Sequence, residues 1–182
     1  MKLIAIACLC LFLLPTFPAF SREPFRTIDG FVVKVSDGDT LTVDSGGTKL
    51  KVRLYGIDAP ETGKINRGNG RTSKEGQPFG QESQRALWGK VYHRKVRIDV
   101  MDIDRYRRLV SLVRMGNRNI NLEMIREGWS WAYRKYLHSA YASEFIEEEE
   151  LARRRRAGLW QDNNPRPPWE FRKSQRMDKK GW

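Results

Sequence analysis

The chain has 182 residues, with 34 basic against 22 acidic side chains, a formal net charge of +12 and a pI of ≈ 10.0. That length holds one ordinary domain with short extensions, and 40% hydrophobic with 11% aromatic residues argues against wholesale disorder. A mean hydropathy of -0.64 excludes a multi-span membrane protein, and the basic excess points to a polyanionic partner, nucleic acid before an anionic membrane.

Lys2 precedes an apolar run from Leu3 to Leu14, followed by Pro15, Pro18 and the small-residue site Ala19-Phe20-Ser21. A charged start, a short apolar run and a small-x-small ending predict a cleaved export signal over residues 1–21. The run is too short to span a bilayer, which takes about 20 residues. Cleavage is expected after Ser21, with Ala19 the alternative. Cys8 and Cys10 are the only cysteines and leave with the signal, so the mature chain uses no disulfide. The stretch before either cysteine is too short to be a lipoprotein signal. The expected location is secreted or periplasmic, with no stable membrane association after cleavage.

The mature chain reads as strands first, then helices. Phe31–Val35 and Leu41–Asp44 flank the turn signal Asp37-Gly38-Asp39-Thr40 and predict a hairpin. Ser45-Gly46-Gly47 turns into Thr48–Tyr55, where Leu50, Val52 and Leu54 alternate with Lys51, Arg53 and Tyr55 as in a half-buried strand. Thr62 to Gly80 is rich in Gly, Lys and Arg without an apolar period, which predicts a long exposed loop. Gln81–Val91 predicts a helix, and Val96–Val100 and Leu109–Val113 predict two further strands. Asn121 to Gly128 has an N-cap residue type at its start and a C-terminal glycine. Ser139–Ala157 predicts a longer helix ending at Gly158, on which Glu149–Arg153 and Glu150–Arg154 pair as a solvated face. From Gln161 the tail holds Pro165, Pro167 and Pro168 among charges and predicts an extended basic arm, pinned by Trp160 and Trp169. The expected organisation is a signal over 1–21, a folded domain over 22–160 and a tail over 161–182. The fold class is α+β: a small β-barrel with helices packed beside it.

Three short clusters carry the chemistry. Asp37-Gly38-Asp39-Thr40 presents carboxylates two apart in a turn, able to ligate a hard divalent cation. Arg53-Leu54-Tyr55-Gly56-Ile57-Asp58-Ala59-Pro60-Glu61 ends a strand carrying an outward arginine in a bend with two more carboxylates. Asp104-Arg105-Tyr106-Arg107-Arg108 is a basic turn between strands. Taken singly, each also reads as an ordinary surface turn. Together they supply what phosphodiester cleavage needs: a cation site, a base for water, and donors for charge on the phosphorane oxygens. No thiol, Cys-based zinc site or Gly-rich phosphate loop competes, and His93 and His138 stand in no metal spacing.

In this order, the three clusters resemble the thermonuclease (staphylococcal nuclease) family. The likeness continues through Ile120-Asn121, Leu122, Gly128 and Ala132-Tyr133 to Ala157-Gly158-Leu159-Trp160, covering roughly residues 27 to 160. The resemblance implies an OB-type five-stranded barrel with about three helices and Ca²⁺-dependent hydrolysis of DNA and RNA to 3′-phosphate products. It implies calcium ligands at Asp39, Asp58 and the Ala59 carbonyl, where the family more often has Thr. Glu61 matches the general base, Arg53 and Arg108 the catalytic arginines, and Tyr106 and Tyr133 the aromatic residues lining the nucleotide site. The family turn usually carries a glycine where Arg107 stands, a position at which a left-handed backbone suits glycine best. A monomer is expected. The alternative from another class is a non-catalytic nucleic-acid-binding OB module, which the presence of all five catalytic-type carboxylates and arginines disfavours. Changing a tail base such as Arg172 is expected mainly to weaken binding and flatten its salt dependence.

Overall fold

A computed structural model describes residues 23–178 apart from Arg67; the expected export signal and residues 179–182 lie outside the described residues. Five strands form the barrel: β1 (Arg26–Asp37), β2 (Thr40–Ser45), β3 (Thr48–Leu54), β4 (Lys95–Ile103) and β5 (Leu109–Met115). β1 pairs antiparallel with both β2 and β4, β2 with β3, and β4 with β5. The parallel pairing of β3 with β5, Val52 opposite Leu109 and Arg53 opposite Val110, closes the sheet on itself. Closure leaves the barrel without the open edges that invite mispairing. The expected OB-type topology is present.

Alternation fills the interior. Val32, Leu41, Val43, Val52, Ile98 and Val113 are fully buried, while neighbours such as Lys34, Lys51 and Arg97 face water. Three helices cover the barrel as expected: α1 (Gly80–Val91), α2 (Ile120–Arg126) and α3 (Ser139–Arg154). Leu87 and Val91 of α1, Met124 and Ile125 of α2, and Phe145 of α3 join the same core.

Four local expectations are corrected. The N-cap of α2 is Asn119, whose side chain accepts from the Leu122 N–H at 3.4 Å, not Asn121. Asn121 is buried and staples β5 to the end of β3: it accepts from Val113 N–H at 2.9 Å and donates to the carbonyls of Tyr55 and Ser111. Residues 62–80 are not a structureless loop, because Lys64–Ile65 pairs with Thr72–Lys74 as a small hairpin. Nor is the tail an extended arm. Pro168–Asp178 folds as α4, with proline in its first turn, where a missing N–H costs nothing. Pro168, Phe171, Arg172 and Gln175 recur at helical spacing on its covered face.

The fourth correction concerns Glu149, which composition reads as a solvated partner of Arg153. It is buried and accepts from the Ala132 N–H at 3.0 Å, with Arg134 and Arg153 each 3.3 Å from its other oxygen. It thereby ties α3 to the short strand Trp131–Ala132. Glu149→Ala leaves a buried N–H without an acceptor, so a loss of about 1–3 kcal/mol is expected. Urea unfolding checks it: the midpoint should fall with the slope unchanged, and an unmoved midpoint contradicts the cap.

Candidate active site

The hairpin turn between β1 and β2 presents Asp39, which is buried and held at both ends. Its carbonyl accepts from Leu54 N–H at 2.8 Å and its Oδ2 accepts from Ala59 N–H at 2.9 Å. Asp58 lies on the two-residue strand Ile57–Asp58, directly opposite Trp131. Gly56 makes that strand possible. It sits at φ +73, and a Cβ there would press 2.5 Å from a Leu137 methyl. Its carbonyl accepts from the Tyr133 N–H at 2.8 Å, so the Asp58 strand and the Tyr133 segment are built as one unit.

Arg53, on β3, joins the two carboxylates. Its Nη1 donates to Asp39 Oδ1 at 2.7 Å and its Nη2 to Asp58 Oδ1 at 2.6 Å. One planar guanidinium can span two acceptors because its donors diverge in a fixed fork. Burial pushes the Asp58 carboxyl above its ordinary value, opposed chiefly by Arg53 and then by Arg172. Asp39, Arg53, Asp58 and Ala59 therefore form one connected cluster, as the sequence anticipates.

Glu61 joins this cluster through residues that sequence reading misses. Its backbone is fixed by Gln77, whose N–H donates to the Glu61 carbonyl at 2.8 Å and whose side chain accepts from the Glu61 N–H at 3.1 Å. Its carboxylate contacts Lys74, from the small hairpin, and accepts from Arg172 Nη1 at 2.7 Å. Burial alone would raise the Glu61 carboxyl, but hydrogen bonds and charge from Lys74 and Arg172 bring it below its usual range. It is consequently ionised at neutral pH. Arg172 also grips Asp58, with Nη2 2.6 Å from Oδ2.

Tyr133 lies beside the cluster, its ring stacked parallel on Trp169 of α4 with centroids 5.3 Å apart. Arg108 and Tyr106 occupy a separate turn. Asp104 organises it, accepting from the N–H groups of Tyr106 and Arg108 at 2.9 Å and from Arg108 Nε at 2.7 Å. Among the described residues no hydrogen bond or ion pair joins Arg108 to Asp39, Asp58 or Glu61. The turn is nevertheless adjacent, because the next residue, Leu109, pairs with Val52. Arg107 adopts the left-handed conformation (φ 62) that suits glycine better and is exposed, whereas Arg108 is half-buried. Tyr106 is 63% exposed, with Arg105 and Arg108 over its ring.

Neither missed cation carried a usable sequence signal. Lys74 is one base in a Gly-rich stretch, and Arg172 stands 111 residues from Glu61. Only the proline opening α4, followed by Trp169 and Phe171, hinted that the tail folds.

Known proteins resemble the chain over most of its length. A profile described as "Staphylococcal nuclease homologue" matches residues 51–162, more than half of the chain. An "Uncharacterized endonuclease" of Haemophilus influenzae is 40% identical, covering 81% of this chain and 74% of its own length. "Protein ParB" of Escherichia coli is 35% identical, with 79% and 78% covered. A "Micrococcal nuclease" of Shigella flexneri is 34% identical, with 80% of each chain covered. With a closed barrel carrying carboxylates and an arginine where the motif puts them, and relatives matched over most of both lengths, the chain belongs to the staphylococcal nuclease family.

Proposed function

We propose that this protein is an exported, calcium-dependent, sugar-nonspecific nuclease that acts as a monomer on DNA and RNA. The observation that carries the reading is the linked pair of buried carboxylates, Asp39 and Asp58, on one guanidinium, with an ionised Glu61 joined to Asp58 through Arg172. Among the described residues no three His, Cys, Asp or Glu side chains gather tightly enough to hold a metal by themselves. Two carboxylates and the Ala59 carbonyl, completed by water or substrate oxygens, make an all-oxygen set that fits a hard cation tolerant of irregular geometry. Asp39, Asp58 and Ala59 are therefore the residues to hold calcium.

A bound cation supplies charge that polarises the phosphate and acidifies a water. Glu61 orients the attacking water and accepts its proton. Arg53 and Arg108 donate to the non-bridging oxygens, whose negative charge grows in the transition state. Water adds at phosphorus, the bond to the 5′ oxygen breaks, that oxygen takes up a proton, and a 3′-phosphate remains. Tyr106 and Tyr133 offer ring faces to the nucleotide. The surrounding positive charge draws in the polyanion and makes binding salt-sensitive.

Purified protein incubated with DNA and RNA oligonucleotides of one sequence is the test. Cleavage of both in calcium, little in magnesium and none in chelator is expected, with 3′-phosphate ends. Salt-sensitive binding without cleavage in calcium identifies a non-catalytic OB module instead, and full activity in chelator contradicts the metal assignment.

A further inference from the structure

We propose that α4 is a working wall of this active site and that Arg172 is a positioning residue for the hydrolysis, holding Asp58 and Glu61 in fixed relation. The inference rests on the nuclease reading above.

The helix is docked by several independent contacts. Pro168 is buried. Trp169 meets Trp131 edge-on at 5.7 Å and stacks parallel on Tyr133. Gln77 Nε2 donates to the Arg166 carbonyl at 3.0 Å, just before the helix, and Gln175 Nε2 donates to Glu75 at 3.0 Å near its end. These contacts fix the helix both along and around its axis. Residue 172 is thereby aimed at the carboxylates.

What Arg172 does there follows from its fork. Nη1 donates to Glu61 Oε1 at 2.7 Å and to Asp58 Oδ1 at 3.1 Å, while Nη2 donates to Asp58 Oδ2 at 2.6 Å. Two carboxylates three residues apart, Asp58 on its short strand and Glu61 just beyond it, are held by one rigid planar group. Without it, Arg53 is the one cation among the described residues left to pair with both Asp39 and Asp58. Among the described residues the Glu61 carboxylate then keeps Lys74 as its cation, a single point charge on a short hairpin, which neutralises without fixing orientation. The proposed base then wanders relative to the proposed metal ligand. Misplacement of about 1 Å is enough to cost roughly 10²-fold in rate.

The rival for the same contacts is a plug: a tail helix that blocks the carboxylates and must leave before nucleic acid is cut. The two predict opposite signs. For a positioning role, Arg172→Ala should lower kcat about 10- to 100-fold, with KM for an oligonucleotide little changed. Calcium binding by calorimetry should be at least as tight, since a competing cation has gone, and saturating calcium should not restore the rate. Millimolar guanidinium should raise the rate of Arg172→Ala above that in equal sodium chloride, while leaving wild type unaffected. Arg172→Lys keeps charge and most packing without the fork and should stay impaired; it carries the test if the alanine variant does not fold by circular dichroism. Wild-type or higher activity of Arg172→Ala, full recovery with added calcium, or a loss confined to KM each overturns the positioning role. Wild-type protein inert in calcium contradicts the nuclease reading and this inference with it. Active wild type with an unimpaired variant overturns this inference alone.

Discussion

Arg53→Ala is expected to lower turnover by about 10²-fold or more and to destabilise the fold at the same time. Both effects come from one group. In the free protein Arg53 neutralises Asp39 and Asp58, which are 2% and 0% exposed. Removing one partner of a buried ion pair typically costs roughly 3–5 kcal/mol, because the remaining charge stays desolvated and unpaired. The cost here falls toward the lower end, since Arg53 keeps an exposed edge and Arg172 still covers Asp58. In the proposed reaction the same guanidinium would also donate to the phosphate oxygens that gather negative charge. Arg53→Lys separates the two roles. It retains the charge but not the diverging pair of donors, so it should recover most of the melting temperature and little of the rate. Equal recovery of both would mean that Arg53 serves structure alone.

Glu61→Gln carries the other large effect, a loss of about 10²–10⁴-fold in rate. The amide keeps the shape and can still accept from Arg172, but it cannot take a proton from water. Its neighbours sharpen the expectation. Lys74 and Arg172 hold the Glu61 carboxyl below its ordinary value despite burial, so the proposed base stays ionised from neutral into mildly acidic solution. As pH falls through that lowered value the base is protonated, so the acid limb of the rate should lie below the usual glutamate range. Removing its charge leaves two cations, Lys74 and Arg172, with one carboxylate fewer. Binding of a polyanion should not suffer.

The barrel was legible because its strands obey a simple rule. Val52 and Leu54 point in while Lys51 faces water, and each predicted strand recurs within a few residues of its expected ends. The cluster of Asp39, Arg53, Asp58 and Glu61 was legible for another reason: its residues follow one another along a single hairpin turn, the next strand and the segment just beyond it. Glu149, Asn121 and Arg172 were not, and all three fail the same way. Each is a polar residue whose role depends on a partner far along the chain. Glu149 looks like half of a helical surface pair until the Ala132 N–H arrives from another segment. Asn121 looks like a cap until the Tyr55 carbonyl, 66 residues away, proves to be its acceptor. Local periodicity reports which face is apolar; it carries no information about which distant polar group will be buried against it. The tail adds a compositional reason. Its prolines and charges resemble a linker, but Pro168 opens a helix and Trp169 supplies the apolar anchor that docks it.

The proposed mechanism requires the site to perform chemistry and not merely to bind. Labelled single-stranded DNA, mixed with wild-type protein or Glu61→Gln in chelator and followed by anisotropy, tests it most directly when calcium is then added. Both proteins should bind with the same affinity before addition. On addition the anisotropy should collapse for wild type as the strand is cut, and hold for Glu61→Gln. Cleavage by Glu61→Gln at the wild-type rate, or an intact strand with both proteins, would contradict the account.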